Sequence, residues 1–299
     1  MISVIIPHLN QPEALERGLQ ALSSQTGIKD DHELIVVDNG SICLPEAICA
    51  RYGATLLFQP VPGPGPARNM GVAAAKGDIL AFIDADCLPS PTWLAAIEER
   101  FARTPQAPIL GGDVRILQQR PGQPTWLEAY ESVFAFRMKK YIEEKGFTGG
   151  GNLAVRSWVF SQVGEFLGIN IAEDTEWGQR ASRMGHRVQY EPTMIVYHPA
   201  RRSFAELCDK WDRHIAHDFL EIRGQSNWWM RWMVRALAVL VSPLAELGRI
   251  AVSNRLTGLR ARLLAIYGVI RIRLYRARKM LAIGMGGGGV QAAARWNRQ

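Results

Sequence analysis

Short apolar runs alternate with helix-forming segments through the first 120 residues, and this alternation restricts the possible folds more than any other feature. An example is the run I-L-A-F-I, which stops at Asp84 and Asp86. Runs of about four to eight apolar residues bounded by breakers are typical of strands buried in a parallel sheet. Strands are predicted at 2–7, 33–38, 54–58, 79–84 and 109–114, and helices at 11–25, 44–52, 67–76 and 91–103. This order predicts βαβ units and therefore an α/β fold with a mostly parallel sheet flanked by helices.

The pattern is less regular after residue 121. A long helix is predicted at 126–144, followed by a glycine loop at 148–151 and a strand at 152–155. Further helices are predicted at 172–185 and 203–222, with two short strands between them at 188–191 and 194–198.

Charge is divided unevenly along the chain. Residues 228–299 contain thirteen Lys and Arg and one acid, whereas residues 1–227 contain 22 Lys and Arg and 27 acids. A mildly acidic body with a strongly basic tail indicates that the tail is a separate functional element. The four cysteines form no C-x-x-C pair and nothing at the N-terminus resembles a signal peptide, so reduced thiols and a cytoplasmic location are expected.

Carboxylates follow two of the predicted strands. Asp38 closes the second strand, and Asp84 and Asp86 close the fourth. The carboxyl ends of parallel strands meet at one edge of a sheet, where ligands bind, and paired carboxylates suit hard divalent cations. The alternative is turn chemistry with solvated acids, because D-N-G-S after the second strand is itself a strong turn signal. Arg68, near a helix N-terminus, could reach a phosphate or a base, or could be merely solvated.

Seven short motifs occur in a fixed order along residues 1–200. They are P-H-L-N at 7–10, V-V-D-N-G-S at 36–41, A-R-N-M-G at 67–71, K-G-D-I-L-A-F-I-D-A-D-C at 76–87, G-G-G-N at 149–152, A-E-D-T-E-W-G-Q-R at 172–180 and V-Y-H-P at 196–199. In order and spacing this set resembles the family 2 inverting glycosyltransferases of the GT-A fold, and the ordered set is far more specific than a single D-x-D. The resemblance implies a GT-A type fold with a Rossmann-like sheet, followed in this chain by a helical basic tail.

The resemblance also implies a nucleotide-sugar site with a divalent metal. Asp38 is similar to the acid that binds the nucleotide base, and Asp84 to the D-x-D acid that faces the ribose or the diphosphate. Asp86 is similar to the acid that holds Mg²⁺ or Mn²⁺, and His198 to the histidine that completes the metal site; a satisfied strand-end histidine is the alternative. The residues implied to bind the nucleotide sugar are Pro7, Asn10, Asp38, Arg68, Asp84, Asp86, Gly150 and Gly151.

Asp174 is similar to the catalytic base of the family. It follows Glu173 at the start of a predicted helix. Inversion needs one base that takes the proton of the acceptor hydroxyl, and it needs no carboxylate nucleophile of the kind that a retaining hydrolase uses. Two alternatives remain open here: the acids complement the helix dipole, or Glu176 is the base.

The expected function is metal-dependent, inverting transfer of a sugar, with a UDP-sugar as the favoured donor and GDP- and dTDP-sugars as open alternatives. The acceptor is expected to be a hydroxyl of a saccharide or of a lipid-linked acceptor, in the synthesis of a cell-surface polysaccharide or glycolipid. Residues 1–222 then form one domain, in which 1–120 bind the nucleotide sugar and 121–222 supply the acceptor and catalytic half. Two other classes stay open: a non-catalytic protein that binds a nucleotide sugar or a membrane, and a D-x-D phosphatase, although Leu88 stands where that motif has Thr or Val.

Residues 223–283 are expected to form a basic amphipathic helical tail, and 284–299 a flexible glycine-rich terminus. No uncharged run in the tail exceeds about ten residues, whereas a spanning helix needs about 20. Tryptophans beside arginines at 228–232 favour peripheral attachment to an anionic membrane surface, at the inner face of the cell membrane. An apolar stripe supports this interpretation: Leu259, Leu263, Ile266, Ile270 and Leu274. A hairpin packed on the catalytic domain is the alternative, and nucleic acid is not an expected partner.

Overall fold

A computed structural model of the protein describes residues 1–168 and 172–286. These residues form two compact units. The first unit contains Met1–Arg115 and Arg137–His198, and the second contains Ile116–Phe136 and the chain from Pro199 onwards. The predicted boundary at residue 222 divides the chain by function and stays a prediction.

Within the described residues, eight strands form one sheet. They are β1 (Ile2–His8), β2 (His32–Asp38), β3 (Thr55–Phe58), β4 (Ile79–Ile83), β5 (Leu88–Pro89), β6 (Ile109–Leu117), β7 (Asn152–Arg156) and β8 (Val188–Pro199). Their order is β3-β2-β1-β4-β7-β6-β8-β5, and β1 pairs in parallel with β2 and β4, as β2 does with β3. β7 is antiparallel to β4 and β6, and β5 is antiparallel to β8. The predicted α/β class with a parallel βαβ half is therefore confirmed, and antiparallel pairs extend the sheet beyond β4.

The helices carry the connections between these strands and build the second unit. They are α1 (Pro12–Ser23), α2 (Glu46–Arg51), α3 (Pro64–Ala74), α4 (Trp93–Arg103), α5 (Trp126–Phe134), α6 (Met138–Lys145), α7 (Ser157–Val163), α8 (Glu173–Arg183), α9 (Phe204–Arg223), α10 (Trp228–Val241), α11 (Pro243–Ala251) and α12 (Gly258–Gly284). The α3 helix starts three residues earlier than predicted, because its two prolines occupy the first turn, where a missing N–H group costs nothing.

The predicted helix 126–144 is two helices, so this prediction was wrong. α5 ends at Phe134 and α6 begins at Met138, with no glycine or proline between them. The break falls at the boundary between the two units, after Phe136. Tyr130 of α5 packs in a core of the second unit, and Ile142 of α6 packs in the core of the first. Tertiary packing has overridden a continuous helical pattern.

Two further details differ from the prediction. The strands predicted at 188–191 and 194–198 are a single strand, β8, which continues through Pro192. Glu191 supports this passage, because its carboxylate accepts hydrogen bonds from the backbone N–H and the hydroxyl of Thr193. The short helix α7 was not predicted, and seven residues offer too few turns for a clear periodicity.

The core of the first unit lies between the sheet and its helices. The central strands are almost continuously buried, as expected for parallel strands covered on both faces. Four aromatic side chains meet on one face of the sheet: Phe82 of β4, Phe160 of α7, Trp177 of α8, and Phe166 of the loop between these two helices. Burial of each such ring contributes roughly 1.5–3 kcal/mol. This cluster fixes α8, which carries the predicted base, against the sheet.

The second unit is helical. α5, α9, α11 and α12 enclose one apolar core, and α9, α10 and α12 enclose another. Trp232 is fully buried in the latter and donates its indole N–H to the carbonyl of Met280 (2.7 Å). Gly268 of α12 lies directly against Tyr130 of α5, where an added Cβ would be 2.7 Å from the tyrosine Cβ. The tail is therefore packed through one face and is part of a folded unit.

The opposite face of α12 is exposed. Ala261, Ala265 and Ile272 face the core, whereas four of the five residues of the predicted apolar stripe are exposed and Ile266 is half-buried. Within the described residues, every helix is too short or too polar to cross a membrane. Of the segment predicted to be flexible, Gly284 ends α12, and residues 287–299 lie outside the described residues.

Candidate active site

Polar side chains end three parallel strands at the same edge of the sheet. His8 ends β1 and lies in register with Asp38, which ends β2. Asp84 follows the last residue of β4, the strand on the other side of β1. The carboxyl ends of parallel strands are where α/β sheets bind their ligands. The predicted acids are thus gathered at the edge where a ligand is expected.

Asp38 is fully buried, and its carboxylate accepts hydrogen bonds from the turn that follows it. Its Oδ1 accepts hydrogen bonds from the backbone N–H groups of Gly40 (3.0 Å) and Ser41 (2.9 Å), and its Oδ2 lies 2.9 Å from His8 Nδ1. Burial acts to raise the pKa of Asp38, but the hydrogen bonds from Ser41, His8 and Gly40 outweigh it and hold the pKa below its usual value. The turn chemistry is therefore present, and contact of Asp38 with a nucleotide base stays a prediction.

His8, to which no role was assigned from the sequence, positions Asp38. Its Nε2 accepts a hydrogen bond from the backbone N–H of Gln11 (3.2 Å), at the start of α1. The proton is therefore on Nδ1, which donates to Asp38. A neutral histidine in one tautomer thus ties the end of β2 to the end of β1.

Pro7 and Asn10 border the same edge. Pro7 lies in β1 opposite Val37. Asn10 has a φ angle of 52°, which is uncommon for a residue other than glycine. Its side-chain oxygen accepts from the N–H of Ile42 (2.9 Å), and its own N–H donates to the hydroxyl of Ser41 (2.8 Å). These bonds join the loops that follow β1 and β2, and the predicted part of both residues in nucleotide-sugar binding stays a prediction.

Arg68 of α3 links two acids that are far apart in the sequence. Its Nη2 donates to Asp84 Oδ1 (2.8 Å) and its Nη1 donates to Glu173 Oε1 (2.9 Å). Burial acts to lower the pKa of Arg68, but the charges of Asp84 and Glu173 raise it above its usual value, so the guanidinium stays charged. The same guanidinium packs over the ring of Phe166, with Arg68 Cζ 5.7 Å from the ring centroid. Arg68 thereby connects the D-x-D turn to the first turn of α8.

The D-x-D turn meets His198 from β8. The ligand atoms of Asp84, Asp86 and Cys87 lie within 4.8 Å of one another. His198 Nε2 is 3.6 Å from Asp86 Oδ2. The structure therefore brings together the two residues predicted to hold a metal, and adds Asp84 beside them.

This donor set fits a hard divalent cation. Carboxylate oxygens and an imidazole nitrogen are ligands that Mg²⁺ or Mn²⁺ accepts. Burial raises the pKa of Asp86, an effect that His198 opposes and the charge of Asp84 reinforces. A divalent ion beside Asp86 would act against this shift by favouring the ionised carboxylate. Burial and the two carboxylates also raise the pKa of Cys87 well above its usual value, so its sulfur stays a thiol.

Gly150 and Gly151 have no room for a side chain. A Cβ on Gly150 would lie 2.6 Å from Arg68 Cζ, and a Cβ on Gly151 would lie 2.4 Å from Asp84 Oδ2. The backbone N–H of Gly150 also donates to Asp174 Oδ2 at 3.4 Å. The glycine loop therefore lets backbone approach both halves of the site closely.

Gly151→Ala is expected to lower turnover by about 10²-fold, because the new methyl group displaces the Asp84 carboxylate and misplaced groups lose about that much. Gly149→Ala is the matched control, since its Cβ would make only ordinary contacts, 3.6 Å from Met138 and 3.8 Å from Asp174 Oδ2. Steady-state kinetics with thermal melts of both variants measure the effect. Equal turnover in the two variants would contradict the requirement for close approach.

Asp174 lies in the first turn of α8 and is half-buried. Its Oδ1 accepts from the N–H of Thr175 (2.6 Å), and its Oδ2 faces the N–H of Gly150. No ion pair joins it to a cationic side chain within the described residues.

The other two acids of that turn are both engaged. Glu173 is bound to Arg68, and Glu176 forms a two-bond pair with Arg180 at 2.9 Å for each bond. Asp174 is thus the acid of the three whose oxygens meet only backbone N–H groups and the hydroxyl of Thr175.

Asn152 is a buried residue whose role was not predicted. Its amide donates to the carbonyls of Asp113 and Met194 (2.9 Å each), and its oxygen accepts from the indole N–H of Trp93 (2.9 Å). These bonds hold β6, β7 and β8 together just after the glycine loop, and β8 carries His198. A polar residue directly after G-G-G and before an apolar strand was the available signal.

Comparison with known proteins identifies the family. Residues 3–163 match the family described as Glycosyl transferase family 2. Glycosyltransferase AglE of Haloferax volcanii is 33% identical over 236 residues, which cover 77% of this chain and 74% of that protein.

Two solved structures share the fold. The mannosyltransferase PcManGT from Pyrobaculum calidifontis, in complex with GDP-Man and Mn²⁺, has a TM-score of 0.55 at 19% identity. This match covers 100% of this chain and 88% of the PcManGT chain. S. aureus TarS 1-349 in complex with UDP has a TM-score of 0.53 at 17% identity, and the match covers 95% of this chain and 91% of the TarS chain. At these identities the likeness shows the GT-A-like fold alone, whereas the match over residues 3–163 and the 33% identity to AglE establish the family. The chain therefore belongs to glycosyl transferase family 2 and is a glycosyltransferase.

Proposed function

We propose that this glycosyltransferase is metal-dependent and inverting, and that it moves a sugar from a nucleotide-diphosphate sugar to a hydroxyl of a saccharide or lipid-linked acceptor. One observation carries the proposal: Asp86 lies 3.6 Å from His198 beside Asp84, while Asp174 stands apart across the glycine loop. This arrangement separates a place for a cation from a base, as inverting transfer requires.

A UDP-sugar is the proposed donor. Its base would lie over the ends of β1 and β2, close to the ionised Asp38, and its diphosphate would lie near Asp84 and Arg68. Solved proteins of similar fold hold UDP in one case and GDP-Man with Mn²⁺ in another. A GDP-sugar is therefore the competing donor, and a direct binding comparison decides between the two.

The residues divide the reaction between them. Asp86 and His198 would hold Mg²⁺ or Mn²⁺, which as a Lewis acid neutralises the leaving nucleoside diphosphate. Asp84, fixed by Arg68, would face the ribose or the diphosphate. Asp174 takes the proton of the acceptor hydroxyl while that oxygen bonds to the anomeric carbon on the face opposite the leaving group. One carboxylate suffices because no glycosyl-enzyme intermediate forms.

Family membership sets aside the other classes that the sequence left open. A D-x-D phosphatase uses its acids in a different fold family, and Leu88 departs from its motif. The carboxylate of Asp174 forms no ion pair within the described residues, so it is placed to act as a base. A protein that only binds nucleotide sugars needs no such base, and this class is therefore disfavoured.

Incubating the chain with UDP- and GDP-sugars, Mn²⁺ and an oligosaccharide acceptor tests this proposal. Proton NMR of the product should show an anomeric centre opposite in configuration to that of the donor, and EDTA should stop the reaction. A product that retains the donor configuration, or turnover unaffected by EDTA, would contradict the proposed mechanism.

We also propose that the second unit holds the enzyme at the cytoplasmic face of an anionic membrane. Large apolar side chains are exposed on α10, α11 and α12, and helices that expose many such side chains are typical of interaction surfaces. They are Trp229, Met230, Val234, Leu237, Leu240, Val241, Leu244, Leu247, Leu259, Leu263, Tyr267, Ile270 and Leu274.

The same helices carry exposed arginines. Arg231 follows Trp229 by two residues, Arg260 follows Leu259 by one, and Arg278 follows Leu274 by one helical turn. Each basic residue near an anionic bilayer contributes about 1 kcal/mol of attraction. Apolar side chains with flanking arginines are the composition of a helix that lies in the interface.

Replacing three exposed residues of α12 by serine, at Leu259, Leu263 and Ile270, is expected to reduce flotation with phosphatidylglycerol vesicles at least tenfold. Each inserted side chain contributes roughly 1.5–3 kcal/mol. Ile42→Ser, at an apolar residue that is 92% exposed in the first unit, is the control. Deleting the tail is a poorer test because Trp232 belongs to the core. Unchanged flotation of the triple variant would refute attachment through α12.

A further inference from the structure

Two basic side chains, one from α12 and one from α9, lie against one indole ring in the second unit. The guanidinium of Arg276, from α12, lies 3.7 Å from the ring centroid of Trp211, from α9. The ring of His214, on the next turn of α9, lies 5.4 Å from the same indole, centroid to centroid. Lys210 precedes Arg213 by three residues and His214 by four on the same helix. Residues at these spacings are neighbours on a helix surface, so Lys210 lies next to both.

Arg276 is buried, because the residue is only 7% exposed. Across residues 1–168 and 172–286 it forms no ion pair with a carboxylate, and its Nε has no hydrogen-bond partner. Buried cations are normally paired, because desolvating an unpaired charge is expensive. Stacking on Trp211 offsets this cost only in part, since a cation–π contact is much weaker than the loss of hydration of a buried charge.

Three acids in this neighbourhood are engaged by other residues. Those pairs are Asp212 with Tyr275 and Lys279 (2.9 Å each), Asp218 with Arg235 (2.7 Å), and Glu131 with Arg201. Lys210, Arg213 and Arg276 therefore bring positive charge to the cluster that no ion pair of theirs neutralises within the described residues.

The pKa values of the cluster reflect burial first and this positive charge second. Burial, followed by the charge of Arg273, lowers the pKa of Arg276 to about 10, although Tyr130 and Asp218 act in the opposite direction. Burial and Arg201 lower the pKa of Lys210 to about 8, with Glu131 opposing and Arg213 adding to the shift. Burial and then Lys210 lower the pKa of His214. Each of these groups would be stabilised in its charged form by an anion.

We propose that Arg276, Lys210 and Arg213 form an anion site, walled by Trp211, that binds a phosphate or diphosphate group. A guanidinium binds phosphate oxygens through two parallel hydrogen bonds, and an ammonium adds a compact charge. His214 is exposed, so the cluster reaches solvent along α9. The phosphate could be free or borne by a lipid, and the lipid-borne form deepens the proposed function, on which it rests.

Thermal unfolding of the full chain with inorganic pyrophosphate tests the site. The measurement is made in EDTA and repeated in the Asp86→Ala variant, so that no metal-bound pyrophosphate at Asp86 contributes to the shift. We expect pyrophosphate to raise the Tm by about 2–4 °C or more in both proteins, because a ligand that binds only the folded state stabilises it. No rise in either protein would overturn the proposal, whatever the fate of the proposed transferase activity.

Variants of the cluster locate the effect. Arg276→Met should fold, since an apolar side chain of similar size replaces an unpaired buried charge, and should lose the pyrophosphate response. Lys210→Met should weaken the response and serves as the second variant. Arg262→Met removes one charge from the same helix at an arginine that binds only backbone carbonyls, and should respond like the native protein. A full response in both Arg276→Met and Lys210→Met would overturn the assignment.

Vesicles distinguish the source of the phosphate. Phosphatidylcholine vesicles with phosphatidic acid present a lipid-borne phosphomonoester, and plain phosphatidylcholine vesicles do not. Flotation that needs phosphatidic acid, falls in Arg276→Met and is competed by pyrophosphate supports the lipid-borne form. A pyrophosphate response without any dependence of flotation on Arg276 supports the site with a free phosphate ligand and overturns the lipid-borne form.

Discussion

Asp86→Ala is expected to reduce sugar transfer by about 10³-fold or more, to the level of the assay background. Asp86 is the acid that lies against His198. Burial and the charge of Asp84 raise the pKa of its carboxyl, and a divalent cation beside it would favour the ionised form. Loss of the cation removes several kcal/mol of charge stabilisation from the leaving diphosphate, and about 1.4 kcal/mol corresponds to a factor of ten in rate. Initial rates over a Mn²⁺ titration measure the loss.

Asp30→Ala is the control for this variant. Asp30 is exposed on the loop before β2, and only its backbone N–H is bonded, to Glu98. We expect wild-type rates and an unchanged Mn²⁺ dependence from it. An Asp86→Ala enzyme that keeps more than a tenth of the native rate at saturating Mn²⁺ would show that the cation site is elsewhere.

Asp174→Asn is expected to lower the rate of transfer by about 10²–10⁴-fold while leaving donor affinity within a factor of two or three. The amide has nearly the shape of the carboxylate but accepts no proton. Donor binding is spared because Asp174 does not belong to the D-x-D turn and makes no ion pair with Arg68, which binds Asp84 and Glu173. Single-turnover rates measure the chemistry, and calorimetric titration with the donor measures the affinity.

Glu176→Gln decides between the two acids that the sequence left open as base. Glu176 shares two hydrogen bonds with Arg180, which also donates to the carbonyls of Val163 and Glu165. Its replacement should therefore lower the thermal stability of α8 modestly and keep most of the turnover. If Glu176→Gln lost transfer and Asp174→Asn retained it, the assignment of the base would be reversed.

The parallel half of the fold could be predicted because its signals are local. Strands buried on both faces are nearly pure apolar runs, as in Ile79–Ile83, and the polar residue that ends each run also marks the edge where ligands bind. Asp84 and Asp86 were found for that reason. Their association with His198 rested on the family resemblance, since β8 lies more than a hundred residues further along the chain.

Features decided by tertiary contacts could not be predicted. The pattern across 126–144 is helical throughout, and it breaks only because its two ends pack in different units. The stripe at Leu259 and Leu263 has perfect helical spacing, yet α12 buries its alanine and glycine face because close helix packing needs small residues.

The partners of the site's charged residues were equally hidden. Nothing in the sequence indicates that Glu173 pairs with Arg68, or that His8 donates to Asp38. The partners of each pair are far apart in the sequence and come into contact only when the chain folds. The engagement of Glu173 and Glu176 is what distinguishes Asp174 within an acidic helix start that is otherwise uniform.

Calorimetric titration of the wild-type chain with UDP- and GDP-sugars, in Mn²⁺ and in EDTA, tests the central proposal most directly. We predict saturable binding of one nucleotide class that requires Mn²⁺ and disappears in Asp86→Ala. Binding of equal strength in EDTA, or no binding of either nucleotide class, would contradict a metal-dependent nucleotide-sugar site at Asp84, Asp86 and His198.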